Sequence, residues 1–273
     1  MDLLQYEFIQ NALLASVLVS IACGIIGSFV VVKRIVFISG GIAHAAYGGV
    51  GLGYFLGFNP SLGAIGFSLA AAAGISIIQQ RAKQRTDTLI GVLWAIGMAV
   101  GIVLIDLTPG YAADLMSYLF GSILTVPAFD IYLMVVLNVL IIAVVSCLYK
   151  ELVAISVDDE FATIVGVPVE RLNLILFCLI AVTVVMLMRV VGLILIIALL
   201  TLPPAIAALF TDNLRRMMML AILLSIVFSI IGLWCSDVFN LTSGAAITLV
   251  SGLSYLLALL FKHLFRKFPA RSY

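Results

Sequence analysis

Two groups of residues in this chain have the types and spacing that chemistry needs. The first is the stretch YKELVAISVDDEFATIVGVPVER (149–171). It sets Glu151, Asp158, Asp159, Glu160 and Glu170 between two long apolar runs. Ser156 or Asp158 can cap a short helix there, and the acids fall at its positive dipole end. Gly166 suits the position just past the helix, and Pro168 stops the chain from continuing it. Phe161, Ile164 and Val165 recur at helical spacing and make one apolar face. The spacing predicts a short helix near 157–167. So short a helix is marginal alone, and its apolar face must dock on its own bundle or on a partner.

The second group centres on His44. It lies about nine residues into an apolar run, or about 14 Å deep at 1.5 Å per residue, near the middle of a bilayer. An ionisable group at that depth is a functional candidate, and neutral imidazole is a common transition-metal ligand. The alternative is a buried histidine bonded to a neighbouring helix. His263 falls in the basic C-terminal tail and is expected to be solvated. Asp106, Asp114, Asp130 and Asp237 lie near the opposite face. They either attract cations to a mouth or mark helix ends. Arg189 either snorkels outward or meets an anionic group or partner.

The elements that must position these residues follow from composition. Of 273 residues, 64% are hydrophobic and 10% charged, with a mean hydropathy of +1.31. Soluble domains carry about 25% charged residues. The chain is therefore expected to be an all-α polytopic transmembrane bundle. Candidate spans of about 20 apolar residues are 8–32, 35–57, 61–80, 88–107, 128–148, 172–188, 190–211, 217–236 and 243–261, so about eight to nine crossings. Residues 117–126 are apolar but too short to cross, and read as a half-helix. Thirteen of the fourteen basic residues fall on one side if the N-terminus is outside and the spans alternate; only Arg189 does not. By the positive-inside rule the C-terminus and residues 149–171 are cytoplasmic. No basic stretch precedes the first run, which is expected to be a span and not a cleaved signal. Residues 1–273 read as one domain.

Several classes are disfavoured at once. A net charge of +1 gives no footprint for nucleic acid. Cys23, Cys147, Cys178 and Cys235 are scattered singly, which suits neither a disulfide framework nor a zinc knuckle. No GxxxxGK[ST] phosphate loop occurs. Gly40, Gly41, Gly48, Gly49, Gly51, Gly53 and Gly57 crowd the second span. Small residues let helices approach closely in lipid. Pro203 and Pro204 are expected to break the seventh span, as broken helices do near transport pathways.

Taken in order, several stretches resemble the permease subunits of ATP-binding-cassette importers for zinc, manganese and iron. They are SFVVVKRIVFISGGIAHA (28–45), TLIGVLWAIGMAVGIVLI (88–105), YLFGSIL (118–124), ELVAISVDDEFATIVGVP (151–168), VVGLILIIALLTLPPAIAALFTDNLRRM (190–217) and LTSGAAITLVSG (241–252). The resemblance spans nearly the whole chain. It implies that Val157–Val167 is a cytoplasmic coupling helix docking on a separate ATPase. It also implies a working unit of two permeases and two ATPases, served by an extracytoplasmic binding protein in the cell membrane. His44 matches the family's histidine in a G-D-x-x-x-H-A pattern on the metal route. The family's aspartate, four residues earlier, is Gly40 here, and a proline usual after the histidine is replaced by Gly48. Met116, Met186, Asp106 and Asp237 are the candidates to complete a site with His44. Thioether ligands would shift preference away from hard cations.

The leading expectation is therefore the permease of an ATP-driven importer of divalent metal ions, itself not an enzyme and with no resident cofactor. One rival is a permease for a metal chelate (siderophore, haem or cobalamin), which a glycine-lined wide cavity and the missing aspartate would suit. A second is an ion-coupled carrier, disfavoured by the scarcity of intramembrane acids. A third is an intramembrane enzyme, disfavoured because His44 has no nucleophile or second ligand beside it in sequence.

Overall fold

The computed structural model describes residues 7–81, 86–109, 121, 123 and 126–266. Within them lie eleven helices: α1 (Glu7–Val32), α2 (Val36–Leu56), α3 (Pro60–Arg81), α4 (Thr86–Asp106), α5 (Ala128–Cys147), α6 (Tyr149–Val157), α7 (Asp159–Ile164), α8 (Val169–Val191), α9 (Leu193–Phe210), α10 (Leu214–Phe239) and α11 (Ser243–Arg266). No strand occurs among the described residues. Lipid offers the backbone no hydrogen-bond partner, so spanning segments must satisfy themselves as helices. Eight helices are long and apolar enough to cross a membrane, and Ile90–Asp106 of α4 is a shorter apolar stretch. The all-helical multi-pass architecture expected from composition is the one found. Of the 117–126 half-helix only Gly121, Ile123 and Val126 are described; Met116 and Asp114 lie outside the described residues.

The bundle has two groups of helices that meet mainly through α8. α2 packs between α3 and α4, and α1 packs on α10, α9 and α5. α8 touches members of both groups, among them α2, α3, α1, α5 and α9. Burial follows this plan. The apolar window of α2 is 83% buried and that of α11 only 22%. α2 is thus central and α11 peripheral, with Leu253, Leu256, Leu257 and Leu260 turned outward. Outward leucines suit a hydrocarbon solvent.

The glycine stretch makes the centre dense. A Cβ on Gly49 would collide with the Gly63 backbone of α3, and one on Gly51 with the Gly101 backbone of α4. Gly97 of α4 in turn lies against Ala45. Helix backbones approach here as only small residues permit. This corrects one expectation: Gly49 and Gly51 do not widen a cavity, because neighbouring backbone fills the space beside them.

The prolines also behave differently from expectation. Pro203 and Pro204 stand buried inside a continuous α9 and do not break it. Each removes one helical hydrogen bond, but α1 packs tightly there. A Cβ on Gly27 would meet the Leu200 carbonyl and Pro204 Cγ. The carbonyl that Pro204 leaves without its helical donor is enclosed by protein, where an interrupted ladder is tolerated.

One end of the bundle gathers basic residues. Lys33 reaches α7, the Arg215 guanidinium sits 5.3 Å over the Tyr149 ring, and Lys262 Nζ donates to the Leu209 carbonyl at 2.9 Å. Arg189 lies apart from them, with Ser61 and Asp130. The contacts therefore segregate these charges as the alternating-span reading requires.

Candidate functional site

Three places carry the residues singled out by sequence. At the basic end, α6 and α7 form a bent pair. Asp158 sits between them in extended geometry and caps α7: its Oδ1 accepts from Glu160 N–H at 2.9 Å and Phe161 N–H at 3.0 Å. The far end closes as a Schellman motif. Gly166 N–H donates to Thr163 O and Val167 N–H to Ala162 O, both at 3.0 Å, with Gly166 at φ +85°. A left-handed residue is what glycine supplies at this position. The helix is shorter than expected, since Val157 ends α6 and Asp158 turns the chain. That 149–157 is itself helical was not anticipated.

Each side chain of this segment has a distinct destination. Ala162 is buried. Phe161, Ile164 and Val165 are 63%, 83% and 62% exposed, and Val157 is exposed too. The expected apolar face exists and does not dock on its own bundle. Asp158 is taken up as a cap and Glu160 faces outward, while Gly166 forms the turn. Asp159 does something else. Lys33 Nζ, at the end of α1, donates to its Oδ1 and Oδ2 at 2.7 and 2.9 Å and also to the Ile155 carbonyl. The Lys33 side chain is 7% exposed and that of Asp159 43%. Asp159 is therefore an internal strut more than part of an outward face, and Lys33 is a partner that sequence reasoning did not pair with it.

His44 lies in the buried stretch Ile38–Val50 of α2. Its Nδ1 is 2.9 Å from Met98 Sδ. Trp94 stacks on the imidazole, with centroids 4.0 Å apart and planes 15° from parallel. The Tyr47 ring is 6.4 Å away. Gly40 and His44 are four residues apart on α2; Trp94 and Met98 are four apart on α4. Each pair lies on one helix face, and the two faces meet. Gly40 is part of this: a Cβ there would lie 3.3 Å from Trp94 Cζ3. The indole covers the bare backbone where the resemblance places an aspartate. Trp94 and Met98 were not singled out from sequence, although their spacing, in register with Gly97 and Gly101, was the signal available.

The other proposed ligands are elsewhere. Asp106 is exposed at the end of α4, and Asp237 is exposed in the last turn of α10. Met186 lines a separate cavity of about 260 Å³ with Asn59, Ser61, Asp130, Met134 and Arg189. None of the three is among the contacts of His44. In that cavity Arg189 is not a free snorkel. Its Nε is 3.8 Å from the buried Asp130 carboxylate, and Nη1 donates to Ser61 Oγ at 3.3 Å. Among the described residues no cluster of three or more His, Cys, Asp or Glu gathers as a metal cage.

A helical bundle with a capped, outward-facing helix at its basic end and an imidazole in its densest part is the build of a transport permease. The sequence agrees: the ABC 3 transport family matches residues 5–262, and the chain belongs to that family. It is 56% identical over 259 residues to the membrane protein slr2045 of Synechocystis, covering 95% of this chain and 92% of that protein. It is 38% identical over 259 residues to the manganese transport system membrane protein MntC of Listeria innocua, covering 95% and 92%. Its fold is similar to that of PsaBC from Streptococcus pneumoniae, solved in complex with a Fab. The TM-score is 0.83 at 32% identity, covering 94% of this chain and 92% of that one.

Proposed function

We propose that this chain is the membrane permease of an ATP-driven importer for divalent metal ions, and that α7 is its coupling helix. The observation that carries this reading is the exposed apolar face of Phe161, Ile164 and Val165 on a helix capped at both ends. Burying one such side chain stabilises by about 1.5–3 kcal/mol. Two of them on a helix of six residues, with a third at its C-cap Val165, all exposed, are well explained by a partner. A cytoplasmic ABC ATPase supplies one, and the chain itself catalyses no bond-making.

The basic end is then cytoplasmic, in keeping with the positive-inside rule, and the end bearing Arg189 and Asp130 faces an extracytoplasmic binding protein. Two copies of the permease work with two ATPases. The cation passes His44, because that imidazole is buried in the helix that packs between α3 and α4. The dense glycine contacts of α2 favour a small cargo over a chelate.

The test is reconstitution of the permease in proteoliposomes with a candidate partner ABC ATPase. ATP-dependent accumulation of a radiolabelled divalent metal is expected, and it should be lost in His44→Ala. Accumulation that proceeds without nucleotide would sink the ATPase-driven reading.

A further inference from the structure

We infer that His44 and Met98 form a nitrogen–sulfur ligand pair that, with Trp94 seated over Gly40, makes this permease selective for a borderline or soft late transition metal over a hard one such as Mn²⁺. This rests on the reading that the cargo passes His44. It goes further by naming the second ligand, the residue that crowds position 40, and the class of cation.

The donors present are the starting point. His44 Nδ1 and Met98 Sδ approach to 2.9 Å. Without an ion the contact is an Nδ1–H···S hydrogen bond; moving the proton to Nε2 frees Nδ1 to ligate as the metal arrives. Imidazole suits zinc, copper, iron and nickel; thioether suits softer ions; carboxylate, carbonyl and water suit manganese and magnesium. The resemblance places a carboxylate at position 40, the hard half of such a pair. Here that position has no side chain, and the indole occupies the ground beside it. A Cβ at 40 would meet Trp94 Cζ3 at 3.3 Å, tighter than ordinary van der Waals contact, while the same indole is stacked on His44. A side chain at 40 would therefore press on the indole and require it to give by a few tenths of an ångström.

An ion can enter with a small movement. A tetrahedral zinc bonded to imidazole nitrogen at about 2.05 Å and to thioether sulfur at no less than the thiolate distance of about 2.3 Å sets the two donors at least about 3.6 Å apart. From 2.9 Å that is an opening of at least about 0.7 Å. Methionine is unbranched and flexible, and Met98 is only partly buried. Trp94 is 36% exposed, so the indole can also yield at its free edge. Water or backbone carbonyls complete the shell as the ion moves on.

A binding protein would filter the cargo first, so the decisive measurement is equilibrium binding of Zn²⁺ and of Mn²⁺ to the permease–ATPase complex without it. A chromophoric indicator in competition reads both. Met98→Leu conserves volume and is expected to weaken Zn²⁺ about tenfold while leaving Mn²⁺ within twofold. The double variant G40D/W94L is expected to strengthen Mn²⁺ about tenfold. Equal loss of both metals in M98L, no loss of either, or no measurable Zn²⁺ binding by the unaltered complex overturns the inference. His44→Ala with both affinities unchanged would instead remove the route past His44, whatever M98L does.

Discussion

Lys33 closes on Asp159 across 126 positions of sequence, gripping both carboxylate oxygens of the helix that faces outward. The same ammonium holds the Ile155 carbonyl at the end of α6. Thus α1, which packs on α5, α9 and α10, is joined to α6 and α7 by one buried cation. α7 thus has a direct polar contact with the end of α1 besides its chain connections.

The two partners of this pair should not be equivalent. Asp159→Ala strands a buried ammonium. Lys33→Met leaves a carboxylate that is 43% exposed and can be hydrated. Stranding a buried charge costs about 3–5 kcal/mol, reduced here by the remaining carbonyl and by partial exposure. Asp159→Ala is expected to lower the detergent-micelle melting temperature more than Lys33→Met does. Thermal scanning fluorimetry checks the order, and equal shifts would refute it. Both variants should retain ATP hydrolysis by the assembled complex while losing most metal uptake.

If α7 docks as proposed, Phe161→Asp removes about 2 kcal/mol of apolar burial at that contact, or about 30-fold in affinity. Phe161 is exposed in the permease alone, so the melting temperature of the isolated permease should be unchanged. Co-purification of the ATPase with tagged permease reads the affinity. Undiminished ATPase recovery would show that α7 does not dock.

The caps of α7 can be tested apart from its face. Asp158→Ala removes a side-chain acceptor of two backbone N–H groups and should cost about 1 kcal/mol. Gly166→Val meets open space but a left-handed φ, so its cost of about 1–2 kcal/mol is purely conformational. Hydrogen exchange at 159–167 should quicken in both variants while α2 stays protected. Unchanged exchange would mean that packing, not capping, holds α7.

Close packing of α2 predicts a contrast among glycines. Gly49→Ala drives a methyl into the Gly63 backbone, whereas Gly74→Ala meets nothing within 4 Å. Overpacking costs about 1–3 kcal/mol, while alanine in an open helical position gains up to about 1 kcal/mol. Gly49→Ala should lower the melting temperature and Gly74→Ala should hold or raise it. The reverse order would refute the packing plan.

What could be read from sequence was local or compositional. Spans follow from runs of apolar residues, and α7 follows from Asp158, Gly166 and Pro168, because capping is decided within a few residues. The surroundings of His44 were not legible in the same way. They depend on the register of α2 against α4, which Gly51 and Gly101 set only once the helices meet. Lys33 looked like one more cytoplasmic cation, since its partner is on a distant element. Pro203 and Pro204 misled because proline's penalty is local, whereas the continuous helix around them is packed on α1, a neighbour that sequence does not display.

The position of α1 has a consequence for how the protein is made. α1 is among the most enclosed helices of the finished bundle, with 72% of its apolar window buried. Its neighbours α9 and α10 are synthesised much later. Until they arrive it must sit in lipid with its serines unaided. Ser16, Ser20 and Ser28 each donate to the carbonyl four residues before them in the same helix, at 2.7 Å. α1 therefore carries its own partners for these hydroxyls and can wait in lipid for the helices that follow it in sequence.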